Sequence, residues 1–310
     1  MSFLYFLEGI RHPVLDWMVS IITHLGEEIV FMAVALVVFW CIDKFEGYYI
    51  LSIGFIGTVF NQLLKIVFRV PRPWVLDEKF TIVESARAEA TGYSFPSGHT
   101  QSSVGTFGGI ARLSKNRIIR IICIALCVLV PFSRMYLGVH TPKDVIVSIG
   151  IALVLIFVVR PIITIGKSNK KVMWAFLISM AVITLAGTVF VFGYNFLNDI
   201  DAVNLISAKK NFAKLLGCIL GMLLVYFIDN KYINFDTKAT FIGQIIKLVF
   251  GLIFVVALKE ALKPLLKMFM GESLFSNSIR YFILVVFAGA VWPLTFKKLA
   301  GIGKTKNISK

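Results

Sequence analysis

Three short strings carry the residues able to do chemistry: "LLKIVFRVPRPW" at 63–74, "YSFPSGHTQ" at 93–101 and "SRMYLGVHTPKD" at 133–144. Together they hold Lys65, Arg69, Arg72 and Arg134, one acidic residue, Asp144, and two of the chain's four histidines, His99 and His140. An imidazole titrates near neutrality, so it serves as nucleophile or general acid according to its partners. A phosphomonoester carries about two negative charges near neutral pH. Lys65, Arg72 and Arg134 supply fixed cations, the arginines with forked geometry suited to phosphate oxygens. Ser97 reads as the N-cap of the following helix, which would aim the amides of Gly98 and His99 and the positive end of the helix dipole at an anion. Simpler readings stand beside these. The spacing of Lys65, Arg69 and Arg72 predicts one basic helical face ended by Pro71 and Pro73, and such cations also snorkel to a membrane interface. Thr141, Pro142 and Asp144 read as N-cap, first-turn proline and capping-box acid, which leaves His140 and Arg134 unexplained.

The elements that position these strings are apolar. The 310 residues are 58% hydrophobic and 16% charged, with a mean hydropathy of +0.84, too apolar for soluble domains. Apolar runs occupy 27–42, 47–68, 99–113, 118–137, 144–163, 172–193, 212–228, 243–258 and 279–296. Most approach the roughly 20 residues needed to cross a bilayer as a helix, and no strand alternation suggests a barrel. The expected fold is an all-α, polytopic transmembrane bundle of about 9 to 10 helices around a six-helix core. Residues 1–26 read as an interfacial or short membrane helix rather than a signal peptide, 27–165 as the core, 172–300 as C-terminal membrane helices, and 301–310 as a basic cytoplasmic tail. Cys41, Cys123, Cys127 and Cys218 have neither metal nor disulfide-framework spacing and read as buried thiols.

The net charge of +15 does not point to nucleic acid, because the cations segregate by loop. Lys44, Arg112, Lys115, Arg117, Arg120, Arg160, Lys167, Lys170, Lys171, Lys297 and Lys298 fall in alternate connections, which the positive-inside tendency assigns to the cytoplasm. Lys209, Lys210, Lys259, Lys263 and Lys267 fall on the other side with the three strings. The mixed-charge stretch around 77–90 reads as a solvated cover over that side.

Lys65, six residues, Arg72-Pro73; Pro96-Ser97-Gly98-His99; and Ser133-Arg134, five residues, His140, three residues, Asp144 resemble the three-part signature of the type 2 phosphatidic acid phosphatase superfamily. Every fixed position matches, in order, over roughly 27–165. The resemblance implies that His140 attacks phosphorus, that Asp144 orients its ring, and that His99 protonates the leaving oxygen and then activates water. Lys65, Arg72, Ser97, Gly98 and Arg134 would bind the phosphate, with no metal and no cofactor. His12 and His24 lie outside the signature, and Arg69 is at most an accessory contact.

The expected activity is a metal-independent lipid phosphate phosphatase of the cell membrane, working through phosphohistidine on the extracytoplasmic side. Candidate substrates are a polyprenyl pyrophosphate, phosphatidic acid, phosphatidylglycerophosphate or a sphingoid-base phosphate. Expected partners are that substrate and membrane lipids, with no nucleic acid. A phosphotransferase and a lipid-phosphate transporter remain the alternatives. The layout is also similar to that of sphingosine phosphate phosphatases and glucose-6-phosphatases, which carry extra helices after the signature. The last four apolar segments have three open uses: packing, a homodimer interface or a lipid path.

Overall fold

In lipid a backbone must satisfy its own hydrogen bonds, and here each long apolar run does so as a helix. The structure is a computed structural model that describes residues 1–196 and 200–303. Its helices are α1 (Ser2–Gly9), α2 (Pro13–His24), α3 (Glu28–Val37), α4 (Lys44–Phe68), α5 (Pro73–Leu76), α6 (Gly98–Ser103), α7 (Gly109–Leu113), α8 (Arg117–Tyr136), α9 (Pro142–Ser168), α10 (Lys170–Gly193), α11 (Ala202–Ile228), α12 (Phe241–Met270), α13 (Phe275–Val286) and α14 (Phe296–Leu299). No strand occurs among the described residues. Short polar residues fix where the long helices begin: Asp43, Asn116, Thr141, Asn169, Asp201 and Thr240 each accept a hydrogen bond from a first-turn amide.

Among the described residues, seven helical stretches are long and apolar enough to cross a membrane, or up to eight if α2 and the helix from Glu28 to Ile42, bent by 49°, form one broken span. The sequence expectation of about nine to ten also counted the run at 99–113. That run is helical throughout, as α6, a wide turn over Val104–Gly108, and α7, but it is shorter than the others. The chain is thus a multi-pass membrane protein built as an all-helical bundle. The start of the expected basic tail is described to Gly303; residues 304–310 lie outside the described part.

α4 is the axis of the bundle, buried along most of its length and packed against α3, α6, α9 and α11. α11 in turn packs along α10 and α13. Close approach of α11 to α13 depends on Gly217, where an added Cβ would stand 2.1 Å from the Ser278 carbonyl oxygen, as expected where small residues let membrane helices touch backbones. At one end of the bundle ion pairs join α4, α9 and α11: Lys44 to Asp229 at 2.7 Å, Lys167 to Glu46 at 2.8 Å, and Arg160 to Glu46. At the other end lie the loops that carry the three chemical strings.

The N-terminal helices clamp those loops. Tyr5 donates to Asp77 at 2.7 Å, Glu8 accepts from the Thr81 amide at 3.0 Å, and Arg11 donates to the Thr81 and Tyr136 carbonyls at 2.8 and 3.0 Å. Leu4 packs with Phe80 and Ile82 in a small apolar cluster. The stretch around 77–90 is anchored by the buried Phe80, Ile82 and Ala86, while its charged residues Glu78, Lys79, Glu84, Arg87 and Glu89 stay exposed. All four cysteines are free, Cys123 and Cys218 buried and the other two half-buried.

Candidate active site

The basic string does not form one helical face. α4 stops at Phe68 because Pro71 and Pro73 cannot continue it and the residue before a proline avoids the helical region. Arg69 then turns left-handed with φ 48°. Lys65 stays on the last turn of α4, buried, and donates to the Tyr93 carbonyl. Arg69 turns toward Phe196, its guanidinium 5.6 Å from the ring. Arg72 comes from an extended residue capping α5 and is also buried. Its Nε and Nη2 donate to the Gly92 and Thr91 carbonyls at 3.1 and 2.8 Å, and Nη1 donates to Val139 O at 2.9 Å and lies 3.0 Å from His140 Nε2.

Arg134, at the end of α8, is fully buried and donates from Nη1 to Thr23 Oγ1 at 2.7 Å. Its Nε and Nη2 are buried with no hydrogen-bond partner. A buried guanidinium with two unpaired edges is costly unless something anionic completes it.

His140 precedes α9 and is 2% exposed. Asp144 Oδ2 lies 3.4 Å from His140 Nδ1, accepts from Ser94 Oγ at 2.6 Å and accepts from the Thr141 amide at 2.8 Å. Asp144 is therefore both capping-box acid and histidine partner. The carboxylate beside Nδ1 favours the tautomer with its proton there, leaving the Nε2 lone pair toward Arg72. Burial, then the charges of Arg72, Arg134 and Lys65, push the His140 imidazole well below its ordinary value. It is neutral at pH 7.

Ser97 caps the helix that carries His99, accepting from the Thr100 amide at 3.4 Å, while its own amide donates to the Asp144 carbonyl at 3.2 Å. That bond ties the second string to the third. His99 Nε2 is buried with no partner. Lys65, Arg72, Gly98, His99 and His140 line a single cavity of about 710 Å³. Asp144 stands behind His140, Arg134 acts on the same imidazole, and Ser97 forms the cap below.

His12 and His24 are elsewhere: the first caps α2 and the second pairs with Glu27. Sequence reasoning missed Ser94, which lies 3.5 Å from His140 Nδ1 as well as bonding Asp144, and Thr23, which holds Arg134. Ser94 sits inside the string "YSFPSGHTQ"; Thr23 is remote and carries no local signal. Among the described residues no group of three or more His, Cys, Asp or Glu side chains could hold a metal ion.

Comparison with known proteins adds independent evidence. Residues 45–165 match the PAP2 superfamily, and residues 213–305 match the transmembrane extension of PAP2 superfamily phosphatases. Undecaprenyl-diphosphatase BcrC of Bacillus subtilis is 32% identical over 157 residues, covering 49% of this chain and 77% of that protein. Phosphatidylglycerophosphatase B of the same organism is 30% identical over 164 residues, covering 49% and 76%. A probable sphingosine-1-phosphate phosphatase of Dictyostelium discoideum is 27% identical over 160 residues, covering 47% and 38%. No solved structure matches the chain. With one buried and one half-buried histidine and three buried cations gathered at one end of an all-helical membrane bundle, and with these relatives, the chain belongs to the PAP2 superfamily of membrane phosphatases.

Proposed function

We propose that this protein hydrolyses the phosphate or diphosphate ester of a membrane lipid through a phosphohistidine intermediate. His140 Nε2 attacks phosphorus while the bond from phosphorus to the leaving oxygen breaks, and His99 gives its proton to that oxygen. His99 then takes a proton from water, the water oxygen attacks phosphorus, and the bond to Nε2 breaks to free phosphate and restore His140. Asp144 steadies the positive charge that develops on the ring. Arg72, now beside Nε2, shifts its Nη1 to a phosphoryl oxygen as phosphorus arrives, and Lys65, Arg134 and the Gly98 and His99 amides take the rest of the charge. The cations do the work for which other phosphatases use metal ions.

One observation carries this reading: the unpaired buried donors of Arg134 and the unpaired His99 Nε2 cluster with a neutral, carboxylate-oriented His140. A site for binding alone would need neither a nucleophile nor an acid. The names of the relatives suggest a polyprenyl diphosphate, phosphatidylglycerophosphate or sphingoid-base phosphate as substrate. In this reading 27–165 is the phosphatase core and 172–300 a second unit beside it. The protein sits in the cell membrane with its site facing outward, because Lys44, Arg117, Arg160, Lys167 and Lys170 gather at the opposite end.

The test is phosphate release by the purified protein from a panel of lipid and soluble phosphates, with His140→Ala and His99→Ala alongside. Both variants should lose turnover, His99→Ala should trap phosphoenzyme only with substrates whose leaving oxygen needs no proton, vanadate should inhibit, and chelators should not. Release that survives in His140→Ala, or that stops on chelation, would overturn the mechanism.

A further inference from the structure

The cavity that holds the two histidines does not end at the phosphate site. It continues between the proposed phosphatase core, 27–165, and the C-terminal extension, with Phe39, Leu51 and Phe55 on one wall and Leu215, Met222 and Ala288 on the other. We infer that this cavity takes the hydrocarbon chain of the phosphate substrate, and that α11 and α13 of the extension form half of the chain-binding site. The inference rests on the phosphatase reading for the head group but concerns the rest of the substrate.

Three observations support it. The first is depth. The cavity reaches from Lys65 to Tyr48 along the unbroken helix α4, and 17 residues at 1.5 Å each give about 25 Å. One leaflet of a bilayer is about 15 Å thick in its hydrocarbon part, half of about 30 Å. The cavity is deeper than a leaflet, so a chain within it passes the level that an ordinary leaflet lipid reaches.

The second is the order of its lining. Charged and hydrogen-bonding groups gather at the phosphate end, and the deep end is apolar apart from the Tyr48 hydroxyl. That sequence matches an amphiphile with its head at the histidines. The third is a pair of amides between the two zones. Asn61 lies one helical turn below Lys65, and Gln101 lies on the helix of His99; both line the cavity, are at most 2% exposed, and have side-chain atoms without any hydrogen-bond partner. Buried amides left unpaired are expensive. Oxygen atoms linking phosphorus to the chain would accept from Asn61 Nδ2 and Gln101 Nε2 at this depth.

The walls also explain what the extension is for. The core alone supplies α3, α4 and α6, which leave the apolar flank of α4 open to lipid; α11 and α13 close it. Glu28 of the core and Lys214 of the extension approach to 3.8 Å at its rim.

The experiment measures kcat/KM for a series of single-chain alkyl phosphates of increasing length, using the full-length protein and two variants that narrow the cavity at different depths, Leu215→Trp and Met222→Trp. For the wild type, kcat/KM should rise with length. Met222→Trp should lower the ratio of longest-chain to shortest-chain kcat/KM about tenfold, and Leu215→Trp, nearer the histidines, should cut the rise at a shorter chain. A variant that only folds poorly lowers all lengths equally and moves neither cut-off. In parallel, a non-hydrolysable alkyl phosphonate with a diazirine at its chain end is photolysed on the wild-type protein, so the result stands even if no phosphate is released from any substrate. Cross-links at Met222, Val225 or Ala288 support the assignment. Cross-links confined to the lipid-facing residues Val158 and Val189, or cut-offs that do not move with the depth of the tryptophan, overturn it.

Discussion

At the scale of single residues, the site depends on how one carboxylate is shared. Asp144 Oδ2 serves the Thr141 amide, the Ser94 hydroxyl and the His140 ring at once. Removing the Ser94 hydroxyl leaves the carboxylate free to turn from the imidazole while the helix cap persists. Ser94→Ala should therefore lower kcat about tenfold, on the scale of other partners that orient a histidine, with KM little changed; steady-state kinetics on any accepted phosphate would check it. The depressed His140 value also has a sign for stability. A buried histidine held neutral adds stability that is present in full above the ordinary value near 6.5 and is lost as pH falls toward the folded value. The apparent Tm of the detergent-solubilised wild type should thus fall relative to His140→Gln between about pH 6.5 and pH 5, and parallel curves would count against a neutral His140. Most of this site was legible, since Lys65, Arg72, His99, Arg134, His140 and Asp144 carry charge or imidazole at fixed spacing. Ser94 and Thr23 were not, because a hydroxyl in an apolar chain is common and its partner here lies 50 or more positions away.

At the scale of elements, what the sequence revealed was where helices begin. Ser97 and Thr141 cap as their types predict, and even the dual use of Asp144 could be read. Which faces meet could not be read, because α10 and α12 are apolar nearly all round: lipid and protein interior ask for the same side chains. Glycines give the one strong clue after the fact. Gly217→Ala would push a methyl group against the backbone of α13, where no side chain can move aside, and should cost about 1–3 kcal/mol as an overpacked contact. Thermal unfolding in detergent would measure it, and Gly150→Ala, with nothing within 4 Å of the added carbon, provides the control. The far end of the bundle has its own weak point in Asp229, which is 2% exposed and accepts from Lys44 at 2.7 Å and the Phe235 amide at 3.1 Å. Asp229→Ala leaves the Phe235 amide without its acceptor and Lys44 with only Asn234 Oδ1 and the Phe235 carbonyl, and should destabilise by about 1–3 kcal/mol, seen as a lower Tm with the chain-length preference intact in whatever fraction stays folded.

At the scale of the whole molecule, the two ends carry their charges differently, and the proposed outward orientation is argued from that difference. The far end carries exposed or paired cations in short connections, Lys44 and Lys167 to acids of α4 and α11, with Arg117 and Lys170 opening helices toward solvent. The end with the histidines buries the three cations of the site, Lys65, Arg72 and Arg134, and carries exposed cations as well, Arg87 and Lys267 among them, beside the acids Asp77 and Glu84 of the clamped loop. The positive-inside bias is counted over Lys and Arg in short connections, and Lys44, Arg117, Arg160, Lys167 and Lys170 of the far end supply it for the proposed outward site. A cysteine replacing the exposed Glu84 should accordingly react with a membrane-impermeant maleimide in intact cells, whereas a cysteine replacing Lys170 should react only after permeabilisation. The reverse pattern would turn the site to the cytoplasm, and with it the pool of lipid phosphate the protein meets. The wild-type chain, whose four thiols are buried or half-buried, sets the background for both, so the difference between two positions on one fold carries the answer.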